Sequence, residues 1–82
     1  MNFLHFESFL TTAEHKSITS AAKKLYITPT ALMQQINLFE EELGFKVFFR
    51  SPKGVSLTQA GKLLYEGCLE LKHESNALFQ RC

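Results

Sequence analysis

Residues 28–44, TPTALMQQINLFEEELG, leave little room for anything but a helix. Thr28 is a natural N-cap. Pro29 suits the first helical position, where the missing N–H needs no partner. Gly44 closes the run at the C′ position. At about 100° per residue, Leu32, Ile36, Phe39 and Leu43 share an arc of about 60°, which makes them a core stripe. Thr30, Met33, Gln34 and Asn37 fall on the opposite side. That outward face carries no charge, although lysine and arginine supply 9 of the 82 residues. It is built of hydrogen-bonding and thioether groups close to a helix N-terminus.

The flanking segments extend the pattern. Residues 2–14 read as a helix, with Asn2 as cap and Phe3, Phe6, Phe9, Leu10 and Ala13 recurring at three- and four-residue steps. Ser17 or Thr19 opens a second helix, whose buried side is Ile18, Ala21, Ala22 and Leu25 and whose outer side holds Lys23 and Lys24. The small pair Ala21-Ala22 lets a neighbouring helix approach closely. Two short helices joined across Tyr26-Ile27 suggest a helix-turn-helix unit. Residues 45–57 change period. Pro52 and Gly54 form a turn between two β-branched and aromatic stretches, which predicts a two-stranded hairpin with Arg50 on its first strand and Lys53 at its tip. Glu40, Glu41 and Glu42 crowd the last turn of the third helix, where the helix dipole disfavours them. They would repel DNA, so that end must turn away from it or pair with basic residues.

Thr58 caps a last helix of about 22 residues, or about 33 Å. Leu64, Cys68, Leu71, Ser75, Leu78 and Cys82 follow a 4-3-4-3-4 spacing, a coiled-coil seam. Leu63, Tyr65 and Leu69 occupy other sides of its first half. A core this small can hardly cover both sets, so the seam is expected to meet a second copy; the alternative is one long core helix. The expected fold is mainly α: a three-helix core with a short two-stranded wing over residues 1–57, and a linker and dimerisation helix over residues 58–82.

Composition supports a partner. A domain of 82 residues has a small core and leans on a disulfide, a metal or another subunit. Cys68 and Cys82 have no CxxC or Cys/His cluster near them, and read as reduced thiols of a cytoplasmic protein. No metal or cofactor is expected. His5, His15 and His73 show no ligand spacing. No nucleophile elbow, Gly-rich phosphate loop or HExxH occurs, so no enzyme is expected. No apolar stretch approaches the ~18 residues of a membrane span, and His5 and Glu7 break the N-terminal run that a signal peptide would need. Net charge is only +1, but residues 15–62 carry seven basic side chains against three acidic ones. A basic middle between acidic ends can bind phosphates.

The stretch SITSAAKKLYITPTALMQQINLFEEELGFKVFFR, followed by VSLTQAG, closely resembles the N-terminal DNA-binding domain of LysR-type transcriptional regulators. The matching residues are Ala21-Ala22, Ala31-Leu32, Gln35-Ile36, Glu42-Leu43-Gly44, Val47-Phe48-Phe49-Arg50 and Leu57-Thr58-Gln59-Ala60-Gly61. The resemblance runs from Asn2 to about residue 80. It implies a winged helix-turn-helix of a bacterial regulator, dimeric or tetrameric, with the third helix in the major groove and the fourth as dimer linker. Family members continue into an effector-binding domain of two α/β lobes, so this chain is expected to be a fragment whose effector control is lost.

Physical chemistry supports the same roles. Pro29, Thr30, Met33, Gln34 and Asn37 would meet base edges. Glutamine and asparagine pair with adenine N6 and N7, and methionine and proline contact the thymine methyl. Thr19, Thr28, Lys23, Lys24, Arg50 and Lys53 would hold phosphates, helped by the free N–H groups of the helix start. Lys16 and Lys46 flank the same face. Arg50 could instead pair with a C-terminal glutamate of the third helix, and Met33 could be a packing residue. Family members often carry Ser-Arg where Met33-Gln34 stands and Gln-Pro where Pro29-Thr30 stands. Losing that arginine removes a guanine or phosphate contact, and Gln34 is expected to shift preference toward A·T pairs. Leu64, Cys68, Leu71, Ser75 and Leu78 are the expected dimer interface. The expected partners are double-stranded operator DNA, pseudo-palindromic, a second copy of the chain and, indirectly, RNA polymerase. The competing function is a helical protein–protein module that docks through Met33, Leu38 and Phe49.

Overall fold

A computed structural model describes residues 3–67 of the chain. Helix α1 spans Phe3–His15, α2 Ile18–Leu25 and α3 Pro29–Leu43. Strands β1 (Phe48–Ser51) and β2 (Gly54–Leu57) follow, and residues 59–67 are helical again. The predicted element order stands, with α1 ending one residue later than expected, at His15.

Local chemistry sets these boundaries. Ser17 caps α2, its hydroxyl accepting the Ser20 N–H at 3.2 Å. Thr28 caps α3 by accepting the Ala31 N–H at 3.1 Å, with Pro29 at the first position. Gly44 ends α3 at φ 83°, its N–H donating to the Glu40 carbonyl. Thr58 caps the fourth helix, its hydroxyl accepting the Gly61 N–H at 2.9 Å while donating to the Lys46 carbonyl at 2.8 Å.

The core centres on Phe9. Its ring packs 5.4 Å from Phe39 and 5.5 Å from Phe48, centroid to centroid, and Tyr65 of the fourth helix completes the ring at 6.4 Å. Leu32, Ile36, Phe39, Val47 and Val55 are buried with it. Ala21 and Ala22 are fully buried where α2 meets the other helices. Two hydroxyls join this core. The Thr12 side chain donates to the Ser8 carbonyl one turn back, and the Ser8 side chain donates to Gln35 Oε1 on α3. Satisfied in this way, they are buried at little net cost.

The hairpin is antiparallel, with Phe48 opposite Leu57 and Arg50 opposite Val55. Its second strand is pinned to the turn after α1. Lys16, itself left-handed at φ 56°, presents its carbonyl to the Val55 N–H at 3.1 Å. Gly54 sits against that carbonyl at φ 134°, and a Cβ there would lie 2.6 Å from the oxygen. The wing is therefore held to the body of the domain and does not project freely.

Of the expected dimer seam, Leu64 is half-buried against the core of its own domain, as is Tyr65, while Leu63 is exposed. Cys68, Leu71, Ser75, Leu78 and Cys82 lie outside the described residues. No described helix is long and apolar enough to cross a membrane. No His, Cys, Asp and Glu cluster among the described residues is placed to hold a metal ion.

Candidate nucleic-acid interface

The first nine residues of α3 carry Pro29, Thr30, Gln34 and Asn37, all exposed. Met33 is half-buried. It lines a shallow groove of about 340 Å³ between the start of α2, α3 and the wing. Thr19, Met33, Arg50 and Lys53 line that groove together. Four of the residues singled out from sequence, spread over 35 positions, thus meet at one surface. Lys23 and Lys24 are exposed in the last turn of α2, outside the groove lining. Thr28 is exposed at the start of α3, with its oxygen already engaged as the cap.

Arg50 does not stand free. Its Nη2 donates to Asn37 Oδ1 at 2.8 Å and to Glu40 Oε1 at 3.1 Å. The alternative read from sequence, an ion pair with a C-terminal glutamate, is what this structure contains. Lys46 approaches the same oxygen at 3.7 Å.

Glu40 is the site residue that sequence reasoning missed. It is only 4% exposed. Its Oε2 accepts the N–H of Val47 at 2.8 Å and of Phe48 at 3.4 Å, and its Oε1 takes Arg50 and Lys46. A buried carboxylate needs this many donors to hold its charge. One signal was available: Glu40 falls one turn after Ile36, beside the apolar stripe, where a charge calls for partners. The repulsion expected from the three glutamates is thereby relieved at Glu40. Glu42 stays exposed, 3.9 Å from His5 Nδ1.

Large apolar side chains are exposed as well, Phe49 and Leu38 among them. Phe49 on β1 is 65% exposed and Leu38 on α3 is 50% exposed. Tyr26, in the turn between α2 and α3, is 95% exposed and left-handed at φ 59°.

Residues 3–62 match the family described as bacterial regulatory helix-turn-helix protein, lysR family. Among curated proteins, the chain is 36% identical over 81 residues to the HTH-type transcriptional regulator BudR of Klebsiella aerogenes, covering 99% of this chain and 57% of that protein. It is 35% identical over 66 residues to the HTH-type transcriptional activator AaeR of Escherichia coli (strain K12), covering 80% of this chain and 21% of that one. The chain thus spans between about a fifth and just over half of these relatives' length. Among solved structures, it superposes with a TM-score of 0.88 on the BenM DNA-binding domain in complex with benA site 1 DNA, at 31% identity and covering 99% of this chain and 91% of that one. The CbnR DNA-binding domain in complex with DNA gives 0.87 at 27% identity, covering 99% and 93%.

Proposed function

The chain belongs to the lysR family of bacterial regulatory helix-turn-helix proteins, and from that premise we propose that it binds double-stranded DNA sequence-specifically, with α3 in the major groove and the wing against the adjoining backbone. The observation that carries this reading is the uncharged, exposed face of α3 bordered by a groove that Arg50 and Lys53 help to line. Charge on that face would bind any phosphate. Amide, hydroxyl and apolar groups discriminate between base edges. Pro29, Thr30, Met33, Gln34 and Asn37 read bases. Thr19, Thr28, Lys23, Lys24, Arg50 and Lys53 hold the backbone, Arg50 doing so while tethered to Glu40.

A homodimer formed through the C-terminal helix, with Leu71, Ser75 and Leu78 in its seam, would place two such faces on a pseudo-palindromic operator. The protein then acts in the cytoplasm as a transcription regulator, recruiting or blocking RNA polymerase.

A salt titration tests the proposal. Each phosphate neutralised contributes about −0.9 to the slope of log K against log[salt], so the four cationic residues predict a slope of roughly −3.6 per protomer. The exposure of Leu38 and Phe49 favours a second reading, a hydrophobic docking module. That reading predicts a nearly flat salt dependence and no retention of duplex DNA.

A further inference from the structure

We infer that Asn37 acts on the bases as a hydrogen-bond donor and not as the two-sided reader of adenine that asparagine often is, because Arg50, itself paired with Glu40, occupies its oxygen. The inference rests on the DNA-binding reading above and assigns the polarity of one contact within it.

A guanidinium has donors only. The Asn37 atom 2.8 Å from Arg50 Nη2 must therefore be the amide oxygen. Arg50 is itself held in place. The same Nη2 donates to Glu40 Oε1 at 3.1 Å, and Glu40 is anchored in turn by the Val47 and Phe48 N–H groups. Glu40 is buried, so the relay Val47–Glu40–Arg50–Asn37 starts from rigid backbone and ends on an exposed side chain. With Oδ1 turned toward the wing, Nδ2 points the other way.

Reading adenine on two sides needs the amide to donate to N7 and accept from N6 at once. The Asn37 oxygen has a second lone pair, but a second N–H there would crowd against the donor of a full cation. Donation from Nδ2 remains, toward purine N7, guanine O6 or thymine O4. The base pair opposite Asn37 is then chosen for its acceptors, and adenine gains no advantage over guanine. Glu40 and Arg50 are positioning residues for that choice.

Site selection from a random duplex pool, run with the whole chain, Asn37→Ala and Arg50→Met, tests the assignment. The pair whose preference disappears in Asn37→Ala marks the contact. The wild-type chain should enrich guanine there at least as strongly as adenine, and Arg50→Met should move the preference to adenine over guanine by roughly five-fold or more. Adenine favoured more than about five-fold by the wild-type chain, and unchanged in Arg50→Met, would overturn the inference. A stability cycle without DNA runs beside it. Asn37→Ala and Arg50→Ala should be coupled by roughly five-fold in the unfolding constant, and Asn37→Asp, which keeps the acceptor, should retain that coupling. Additive effects would mean the amide is not held, and would also overturn the inference. Coupling without enrichment of any site would remove the DNA-binding reading itself and the base polarity with it.

Discussion

Gly61 lies where the fourth helix crosses the chain entering the wing. A Cβ at this position would sit 2.2 Å from the Val47 carbonyl oxygen and 3.1 Å from Leu57 Cδ2. Real Cβ atoms do not approach within 3.0 Å, so backbone must move by at least 0.8 Å. The oxygen it would strike also accepts the Thr58 N–H at 3.0 Å, which starts the helix. Gly61→Ala therefore overpacks a backbone contact, worth about 1–3 kcal/mol, and weakens one hydrogen bond, worth about 1 kcal/mol. A loss of about 2–4 kcal/mol is expected, or a fall of roughly 10–25 °C in Tm for a domain of this size. Gly67 supplies the control on the same helix: nothing lies within 4 Å of its Cβ position. Gly67→Ala should stabilise by up to about 1 kcal/mol through helix propensity alone. Urea and thermal unfolding followed by circular dichroism read both. If Gly61→Ala melts within about 2 °C of the wild-type chain, the helix does not sit on the Val47 carbonyl as described.

Three further outcomes follow from the same geometry. Glu40→Ala strands two N–H groups and Arg50, and should cost about 3–5 kcal/mol by urea unfolding, with Glu40→Gln intermediate; a loss below about 1 kcal/mol would show that the carboxylate is not the anchor. Tyr26→Gly removes a side chain from a left-handed position, and should raise stability by about 0.5–1 kcal/mol; a lower Tm would contradict the strained turn. Lys53→Ala should weaken binding to all duplexes about equally and make the salt slope shallower by about 0.9, whereas loss confined to one sequence would rule out a phosphate contact.

The reading from sequence succeeded where signals were local. Ser17, Thr28 and Thr58 announce helix starts through their hydroxyls, Gly44 announces a stop, and Pro52 with Gly54 announces a turn. The period of α3 separated Leu32, Ile36 and Phe39, which are buried, from Thr30, Gln34 and Asn37, which are exposed. The hidden features are those that need tertiary partners. Of Glu40, Glu41 and Glu42, the helical period sets the first beside the apolar stripe, but its partners, the Val47 and Phe48 N–H groups and Arg50, come only with the tertiary fold. Ser8 and Thr12, which the apolar spacing of α1 does not single out, are buried, with Gln35 and the helix's own carbonyl satisfying them. Lys16 and Tyr26 turn the chain left-handed where no glycine marks the turn. Arg50 was visible as a cation, but its commitment to Asn37 was not.

The central claim is that the exposed start of α3 reads bases. Its most direct measurement is the ratio of affinities for a selected operator and a scrambled duplex of the same length, taken at one salt concentration for the wild-type chain and for Gln34→Ala. The account predicts that Gln34→Ala lowers the ratio by roughly five-fold or more, leaves the salt slope unchanged and relaxes the preference for A·T at one pair. An unchanged ratio and an unchanged preferred sequence would contradict it.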